Sequence, residues 1–444
     1  MDEINDRTVL EIPDEIPAGG QDWANHIAHI ISSNAQIQVV LEFEQHINED
    51  LMKRAIRFSI DVEPVLGCRF MEETKPYWKR LSDIDNLTWC CLESTQNKVE
   101  TLEKFLESPL EPEYRQLQAK IIRLDQNDLL CLKLDHACTD GGGVKQYVQL
   151  LADIYTHLSK DLNYRPISNR NLKRDASCLF EQLSFANPKA ALNQEMENPK
   201  PSWSFPYQEC PSTHMQAHQT SMMILRISGE KLAGILVYTK ARQVTVNDLI
   251  MTLFYRALFA MVLLEPLVPV PIDVTVDLRR YLSNQKCASI CNMSGIANTT
   301  LTRVAEEPFE LTLKRVVQMM TQVKKNNPGI QSAVSMELMT GLSYQAALGF
   351  LQKAQQNIKQ RGKCAPLLSN MGILAENPLR FGNHTVKDGY MITPAFHAPG
   401  FMLGVSTYHD TLTLVVSYYK SETRHEDVAK FLSMMESELT CASR

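Results

Sequence analysis

The sequence predicts an α/β protein of two domains joined by a polar crossover. The chain of 444 residues is long enough for two domains, each with its own core. Strand-like and helix-like apolar patterns alternate in both halves. We therefore predict an N-terminal domain over residues 1–175, a crossover over residues 176–218 and a C-terminal domain over residues 219–444. The predicted crossover is polar, shows little periodicity and contains several prolines: Pro188, Pro199, Pro201, Pro206 and Pro211.

In the first half, apolar residues repeat at every second position in the strands and at every third or fourth position in the helices. The predicted strands are residues 36–43, 65–70, 118–124 and 128–134. The predicted helices are residues 49–60, 97–106 and 141–158. Asp125-Gln126-Asn127, between the last two strands, is typical of a hairpin turn.

The second half repeats this alternation, although no internal sequence repeat is found. The predicted strands are residues 221–227 and 271–278, and a pair within residues 401–419 around Tyr408-His409-Asp410. The predicted helices are residues 230–240, 246–264, 309–323, 336–358 and 426–439. The two domains thus have elements in a roughly similar order.

The composition is that of a soluble globular protein, with 44% hydrophobic and 22% charged residues. The net charge is −6 and no basic block is interleaved with aromatic residues, so nucleic acid is not an expected partner. No apolar run approaches the roughly 20 residues that span a bilayer. The N-terminus, Met1-Asp2-Glu3, is acidic, whereas a secretory signal begins basic and then becomes apolar. We expect a cytoplasmic chain without a transmembrane segment.

Eleven cysteines invite a metal site or a disulfide framework, but their spacing supports neither. Cys90 and Cys91 are adjacent, Cys287 and Cys291 are four positions apart, and no CxxC pair occurs. In a cytoplasmic chain, free thiols are the expected state. We predict no metal site.

One segment, Leu130-Cys131-Leu132-Lys133-Leu134-Asp135-His136, ends in a histidine that is a candidate catalytic residue. Strand alternation puts its three leucines and His136 on one face, and the leucines mark that face as buried. Asp140 follows four residues after His136, at a turn that continues through Gly141-Gly142-Gly143 into a helix. An imidazole, with an unperturbed pKa of about 6.5, suits a general base near neutral pH.

The same residues also have purely structural interpretations, and spacing alone does not decide between them. Asp140 could be the N-cap of the following helix, since Asp is among the best residues there. His136 could be a core histidine that bonds to a backbone carbonyl. The three glycines could only permit a tight turn.

The segment His136-Ala137-Cys138-Thr139-Asp140-Gly141 resembles the HxxxDG signature of the chloramphenicol acetyltransferase-like superfamily. This superfamily includes condensation domains, plant-type acyltransferases and alcohol acetyltransferases, and the resemblance is closest to the stand-alone alcohol acetyltransferase type. Further segments resemble other blocks of the superfamily, in the same order: residues 65–70, 105–110, 246–250, 276–282, 291–295 and 369–372.

The resemblance implies two similar α/β domains that form a V, with a central tunnel and His136 at its centre. An acyl thioester donor would reach His136 from one side and a small alcohol or amine acceptor from the other. The resemblance implies no metal or redox cofactor. It also implies that Asp140 is structural and pairs with Arg279, while the neighbouring Arg280 points away and serves as a control.

Acyl transfer also needs hydrogen-bond donors for the oxyanion of the tetrahedral intermediate. The N–H of Gly141 at the start of a helix is one candidate, and Asn292 and Ser294 are two others. Both side chains could instead only form turns, where these residue types are common. Ser369 and Asn370 either line the tunnel or only end a strand.

The sequence departs from the superfamily where condensation domains usually carry a first histidine, because Asp135 stands there. Strand alternation puts Asp135 on the face opposite His136, so this departure need not impair catalysis by His136. The favoured function is transfer of an acyl group from a CoA thioester to a hydroxyl or amine, by a monomer. One alternative is a stand-alone condensation-type enzyme of nonribosomal peptide or polyketide-like biosynthesis that uses an acyl carrier protein. Another is a non-catalytic relative that binds a ligand in the tunnel.

Overall fold

A computed structural model describes residues 12–111, 113, 115–183, 201–208, 219–262 and 267–442. Within these ranges the chain forms two six-stranded sheets and one three-stranded sheet. Each large sheet is the centre of one lobe, which we call the N-lobe and the C-lobe. The α/β class and the two-lobe architecture are confirmed. Residues 184–200 and 209–218 of the predicted crossover, and the acidic N-terminus, lie outside the described residues.

The first half of the chain supplies most of the N-lobe. Its strands are β1 (Glu15–Pro17), β2 (Gln36–Phe43), β3 (Cys68–Met71), β4 (Tyr77–Arg80), β5 (Cys90–Ser94), β6 (Leu117–Arg123) and β7 (Asp128–Asp135). Its helices are α1 (Gly20–Ile31), α2 (Glu49–Val62), α3 (Lys98–Glu107), α4 (Gly141–Lys160) and α5 (Ser177–Gln182).

The second half supplies the C-lobe and two strands of the N-lobe. Its strands are β8 (Thr220–Ser228), β9 (Pro269–Asp277), β10 (Ser294–Thr302), β11 (Leu367–Ile373), β12 (Arg380–Phe381), β13 (His384–Ile392), β14 (Met402–Tyr408) and β15 (Thr411–Tyr419). Its helices are α6 (Glu230–Ala241), α7 (Val246–Met261), α8 (Phe309–Lys325), α9 (Ile330–Met339), α10 (Tyr344–Arg361) and α11 (His425–Ala442).

The core of the N-lobe lies between its sheet and the helices α2 and α4. The sheet order is β12-β13-β2-β7-β6-β5, and β7 is buried along its whole length between β2 and β6. Leu130, Leu132 and Leu134 are fully buried in this core, as strand alternation predicts. Because β7 is central and buried, its end is a rigid place for a functional side chain.

The C-lobe sheet has the order β10-β9-β11-β14-β15-β8, with α7 packed against α8 and α11. Thr245 begins α7 with a capping box that it forms with Asp248, which fixes the start of this buried helix. Among the described residues, no single helix has the length and apolar composition to cross a membrane. Only α6 and α7 together, with a bend of 103° between them, meet that test, by length and composition alone.

The placement of two strands of the second half of the chain in the N-lobe sheet is the main feature that the sequence pattern does not predict. After β11 the chain leaves the C-lobe, and β13 pairs antiparallel with β2, with Ile392 opposite Gln38. The chain then returns to the C-lobe sheet as β14. The predicted C-terminal domain, residues 219–444, therefore completes the sheet of the other lobe. Alternation within β13 is obscured by a register shift between Val386 and Asp388.

The single helix predicted over residues 336–358 is wrong, because the structure has two helices there. The helix α9 ends at Met339 and α10 begins at Tyr344, with Gly341 in the break. Ser343 caps α10, since its hydroxyl accepts a hydrogen bond from the N–H of Ala346 at 3.3 Å. The strand predicted over residues 65–70 is shorter than expected, because a 3-10 turn at Pro64–Gly67 precedes β3.

A hydrophobic cluster joins the two lobes, and we call it the interlobe cluster. Its fully buried members come from β2, β7, β13 and β15, together with side chains of α3 and β6. They are Val40, Phe105, Leu106, Ile122, Leu129, Cys131, Tyr390, Ile392 and Val415. This contact fixes the position of one lobe relative to the other.

Truncation of Ile392 should test this interlobe contact. Ile392 is 0% exposed, so Ile392→Ala leaves a cavity and should lower the free energy of unfolding by about 2–5 kcal/mol. Ile373→Ala is the matched control, because Ile373 is 56% exposed, and it should change stability by less than about 0.5 kcal/mol. Urea unfolding measures both. Equal losses in the two variants would show that the interlobe cluster contributes little.

Candidate active site

His136 lies in the turn that follows β7, at the junction of the two lobes. Its backbone N–H donates to the carbonyl of Ala35 at 2.7 Å, which ties the turn to the start of β2. The side chain is half-buried, and its Nδ1 atom is buried without a hydrogen-bond partner among the described residues. A buried, unpaired ring nitrogen in a native structure calls for an explanation, such as a ligand or a catalytic role.

The carbonyl groups of this turn are held by side chains from outside the N-lobe sheet. The Nδ2 atom of Asn292 donates to the carbonyls of His136, at 3.0 Å, and Ala137, at 2.8 Å. The Nη2 atom of Arg174 donates to the carbonyl of Cys138 at 2.6 Å. Three successive carbonyls of the turn are therefore bonded, so the backbone that carries the imidazole is fixed.

Arg174 is itself held by a buried ion pair that sequence reasoning missed. Its Nε and Nη2 atoms donate to the two carboxylate oxygens of Asp22 at 2.6 and 2.9 Å. The indole N–H of Trp78 donates to the same carboxylate at 3.0 Å. Burial alone would lower the pKa of Arg174, but Asp22 raises it above its ordinary value and keeps the guanidinium charged.

Asp140 has two structural roles at once, as the N-cap of α4 and as the partner of Arg279. Its Oδ1 atom accepts from the N–H of Gly143 at 2.8 Å and lies 2.9 Å from Nη2 of Arg279. Its Oδ2 atom accepts from Nη1 of Arg279 at 3.0 Å and from the N–H of Met293 at 2.7 Å. The ion pair that the resemblance implies is thus present, and both carboxylate oxygens are occupied.

The electrostatics of this pair favour the charged state of both groups. Burial alone would raise the pKa of Asp140, but Arg279 and the two backbone N–H groups hold it below its usual value. Burial likewise opposes the charge on Arg279, and Asp140 raises the pKa of Arg279 well above its usual value. The pair is therefore an ionic brace between α4 and the C-lobe.

The three glycines after Asp140 are needed for close approach between the lobes, and none of them has a positive φ. A Cβ atom on Gly141 would lie 3.2 Å from Cγ of Met371. On Gly142 it would lie 2.4 Å from Nη1 of Arg279, and on Gly143 it would lie 3.0 Å from the carbonyl of Cys291. The start of α4 therefore lies directly against the C-lobe, and side chains would push the two apart.

Residues 290–293 bond to the His136 turn, to Asp140 and to both arginines, and we call them the clamp segment. Ile290 donates its N–H to Glu63 at 3.1 Å and accepts from Arg174 at 2.9 Å. The carbonyl of Cys291 accepts from Nη2 of Arg279 at 2.9 Å. The other two residues, Asn292 and Met293, bond to the His136 turn and to Asp140, as described above. The clamp segment thus sets the position of the turn from the side of the C-lobe.

The candidate substrate-binding residues fall into two groups. Asn292 is buried and its amide N–H groups are used by the turn, whereas Ser294 begins β10 and donates its N–H to Oε1 of Gln21 at 3.0 Å. Ser369 and Asn370 lie on β11 and bond to Thr275 and Asn247. The residue after them, Met371, lies against Gly141. The strand β11 therefore contacts the start of α4 through Met371, which is adjacent in sequence to the predicted Ser369 and Asn370.

Asp135, which replaces the first histidine of condensation domains, is fully enclosed. Its Oδ1 atom accepts from the N–H of Ala137 at 2.7 Å, and burial raises the pKa of its carboxyl. The thiol of Cys138 donates to the carbonyl of Asp135 at 3.1 Å, and burial raises the pKa of Cys138 well above its usual value. Both side chains therefore support the turn, and Cys138 is a poor nucleophile.

The histidines of α1 lie near this turn but form no metal site. Nε2 of His26 is 2.9 Å from Oε1 of Glu72, and Nδ1 of His29 is 3.3 Å from the carbonyl of Asn34. Throughout the described part of the chain, no three His, Cys, Asp or Glu side chains form a group that could hold a metal ion.

Lys133 is a second buried charge that sequence reasoning missed, although a lysine between Leu132 and Leu134 was a visible signal. Its Nζ atom donates to the hydroxyl of Ser108 at 2.9 Å and lies 4.5 Å from the centre of the Phe105 ring. Burial lowers the pKa of Lys133 to about 7. The side chain links β7 to the end of α3, on the face of the sheet that meets the C-lobe.

Comparison with solved structures identifies the fold. Trichothecene 15-O-acetyltransferase from Fusarium sporotrichioides superposes with a TM-score of 0.72 at 12% identity, over 97% of this chain and 95% of that one. The first condensation domain of the calcium-dependent antibiotic synthetase gives 0.70 at 12% identity, over 97% of each chain. The starter condensation domain of rhizomide synthetase, solved with C8-CoA, gives 0.65 at 13% identity, over 97% and 95%.

The chain therefore has the fold of the condensation domains and chloramphenicol acetyltransferase-like acyltransferases. No family model matches the sequence, and comparison with curated protein sequences finds no significant match. The similarity to these solved structures is one of fold, at an identity where substrates are not transferable.

Substitution of Gly143 should test the close approach at the start of α4. In Gly143→Ala the new Cβ meets Oγ1 of Thr139 at 2.1 Å and the carbonyl of Cys291 at 3.0 Å, so the variant should lose about 1–3 kcal/mol. Gly349→Ala, inside α10 with nothing within 4 Å, should instead gain about 0.5–1 kcal/mol. Thermal unfolding distinguishes them, and a stabilised Gly143→Ala would contradict the packing described here.

The brace should be tested by removal of either charge. Asp140→Ala and Arg279→Ala each leave a buried, unpaired charge and should lower the free energy of unfolding by about 3–5 kcal/mol. The double variant should lose less than the sum, because the two residues interact. Arg280→Ala is the control, since Arg280 is exposed, and should change stability by less than about 0.5 kcal/mol. Additive losses in a double-mutant cycle would exclude the pair as a stabilising unit.

Glu63 should make stability depend on pH. Burial raises the pKa of Glu63 from 4.5 to about 7, so its stabilising effect is complete below pH 4.5 and is lost as the pH rises through about 7. The native chain should therefore lose up to about 3 kcal/mol from this group between pH 5 and pH 8. In Glu63→Gln this component should vanish. Urea unfolding at several pH values measures it, and identical pH profiles would contradict the prediction.

Proposed function

We propose that this chain transfers an acyl group from a thioester to a hydroxyl or amine of a small acceptor, with His136 as the general base. The observation that carries the proposal is the state of His136. Its backbone is fixed on both sides of the lobe junction, its ring is half-buried, and its Nδ1 atom is unpaired among the described residues. The Nδ1 atom is therefore not used by a structural hydrogen bond among those residues.

The proposed reaction uses the imidazole twice. His136 accepts the proton of the acceptor O–H or N–H while that atom attacks the thioester carbonyl. The tetrahedral intermediate then collapses, the C–S bond breaks, and the thiolate takes the proton from the imidazolium. Positioned proton transfer of this kind contributes roughly 10²–10⁴ in rate, and the fixed turn adds a contribution through orientation.

Asp140 is a positioning residue in this mechanism and does not act on the imidazole. A carboxylate has about four lone-pair positions. In Asp140, two of them face the nitrogens of Arg279, and the other two accept from the N–H groups of Gly143 and Met293. No acceptor capacity remains to orient a ring N–H. The brace therefore acts only by holding the turn and the start of α4 in place.

The start of α4 is the proposed site of charge stabilisation for the intermediate. The first N–H groups of a helix have no partner within the helix and carry partial positive charge. The N–H of Gly141 occupies this position, at the first residue of α4 and against Met371. Asn292 is a weaker candidate in our proposal, because its amide N–H groups are already bonded to carbonyls. These steps need no metal or redox cofactor, since base and donors come from the chain itself.

Two kinds of donor are compatible with the proposal. The structural neighbours include an O-acetyltransferase, a starter condensation domain solved with C8-CoA and a condensation domain of an antibiotic synthetase, so we propose either a CoA thioester or a carrier-bound thioester as the donor. We favour free acyl-CoA, because Asp135 stands where condensation domains usually carry a histidine. The carrier-dependent condensation enzyme is the second candidate, and it shares the same base.

Thiol release should test the proposal directly. The native chain, mixed with a panel of acyl-CoAs and of alcohols and amines, should release free CoA only when an acceptor is present. His136→Ala should be slower by about 10²–10⁴-fold, because the proton-accepting group is gone. His46→Ala is the matched control, an exposed histidine bonded to Leu124 at the far end of the N-lobe sheet, and should retain native activity.

The outcomes separate the candidates. Release that persists in folded His136→Ala would refute His136 as the base. If no acyl-CoA is used, the same assay with an acyl group loaded on a carrier protein decides for the condensation-type enzyme. Failure of both donors would support a relative that only binds a ligand.

A further inference from the structure

One face of the C-lobe sheet points towards the N-lobe across all of its inner strands. Residues that pair across neighbouring strands point to the same face of a sheet. Val415 on β15 is buried in the interlobe cluster and pairs with Gly404 on β14, which pairs with Ser369 on β11. The hydroxyl of Thr275 on β9 donates to that of Ser369 at 3.2 Å, and the partner of Thr275 on β10 is Ile296. This row of side chains therefore points towards the N-lobe from β15 to the edge strand β10.

On β9, β10 and β11 this face is accessible, and we call it the open strip. The opposite face of these strands is packed with helices, since Ile272, Val274 and Leu368 are buried in the core of the C-lobe. The side chains of the open strip are instead half-buried or exposed. They are Ser294, Ile296, Asn298, Asp273, Thr275, Asp277, Leu367, Ser369 and Met371. A largely polar wall therefore faces the space between the lobes.

One end of the open strip borders the start of α4. A Cβ atom on Gly142 would lie 2.9 Å from Oδ2 of Asp277, and Met371 lies against Gly141. Asp273 precedes Asp277 on the same strand, on the same face, and lies about 13 Å farther from the start of α4. The strip thus leads away from the proposed site of acyl transfer.

Asp273 is a half-buried carboxylate at the far end of the open strip. Its Oδ1 atom accepts from Nδ2 of Asn298 at 2.7 Å, and in the described part of the chain no cationic side chain forms an ion pair with it. Burial raises the pKa of Asp273, and the hydrogen bond from Asn298 opposes this effect. Asp277, in contrast, lies 3.2 Å from Nη1 of Arg279. A cation brought by a ligand would stabilise the charge on Asp273, as Arg279 does for Asp277.

We propose, on the basis of the acyl transfer proposed above, that the open strip binds the acceptor and that Asp273 selects an alcohol that carries a protonated amino group. The hydroxyl lies at the start of α4, and the ammonium extends along the strip to Asp273. The hydroxyl groups of Thr275 and Ser369, between the two ends, are available to polar groups of the acceptor. During the transfer the acceptor hydroxyl loses its proton to His136, and the ammonium keeps its own.

The charge of the open strip fits the acceptor better than the donor. Its two charged side chains, Asp273 and Asp277, are both acidic. The phosphates of CoA are negative, so this wall repels them, whereas it attracts an ammonium group. The donor therefore reaches His136 from elsewhere.

Binding without any thioester tests the ammonium site on its own. The probes are an amino alcohol of about ten carbons, long enough for a span of about 13 Å, and the diol of the same length. In calorimetric titrations, the native chain should bind the amino alcohol at least about tenfold more tightly, because a charge-assisted hydrogen bond to Asp273 is added. In Asp273→Asn both probes should bind equally, since the amide can keep the bond to Asn298 without the charge. Asp410→Asn is the matched control, an exposed aspartate in the turn between β14 and β15, and should keep the native difference.

Steady-state kinetics with the thioester that the chain accepts test the site during turnover. In Asp273→Asn the KM for the amino alcohol should rise by at least about tenfold, while its kcat and both constants for the diol stay within about twofold of the native values. Mass spectrometry should find the acyl group on the oxygen of the amino alcohol.

The outcomes distinguish this inference from the proposed function. Binding that depends on Asp273, without thiol release from any donor, would support the ammonium site and contradict acyl transfer. Thiol release with equal use of both probes, or an unchanged KM in Asp273→Asn, would overturn the inference and leave acyl transfer standing. An acyl group on the nitrogen would put the amine at the start of α4 and would also overturn the inference.

Discussion

The buried ion pair between Asp140 and Arg279 is the interaction on which the rest of the site depends. It joins the first turn of α4, in the N-lobe, to the loop after β9, in the C-lobe. Two buried charges are stable there only because every carboxylate lone pair has a donor, from Arg279 or from a backbone N–H. The pair in turn requires glycines after Asp140, since any side chain at Gly142 would meet the guanidinium. Asp140, the glycines and Arg279 are therefore one structural unit, although they are 139 positions apart in the chain.

This arrangement separates the group that performs the proposed chemistry from the groups that position it. His136 has a free ring nitrogen among the described residues and a fixed backbone. The side chains of Asn292 and Arg174 bond to carbonyls of the turn, and that of Asp140 bonds to Arg279 and to backbone N–H groups. The turn that carries the imidazole follows a strand of the N-lobe, and Asn292 of the C-lobe bonds to it. The contacts between the C-lobe and this turn run through the carbonyls of His136 and Ala137 and the carboxylate of Asp140.

Part of the fold and of the candidate site follows from the sequence, and part of each does not. Alternation in residues 128–134 predicts β7, and the family resemblance implies both the ion pair and the fold, because these depend on local pattern or on motif order. The strand β13 is not predictable in this way, since its partner β2 lies in the other half of the chain and Asp388 interrupts its apolar pattern. The pair of Asp22 with Arg174 spans 152 positions and leaves no local signal. From the sequence, the three glycines indicate only a tight turn. The structure shows why side chains are excluded, because a Cβ there would meet Met371, Arg279 or Cys291.

Chemical rescue tests most directly whether His136 supplies the base and Asp140 only positions it. His136→Gly removes the imidazole, and added imidazole can occupy the space next to the thioester. The account predicts that imidazole restores acceptor-dependent thiol release in His136→Gly in a saturable manner, and that it restores nothing in Asp140→Ala, whose defect lies in the backbone of the turn. Full activity of His136→Gly without imidazole, or equal rescue of both variants, would contradict the account.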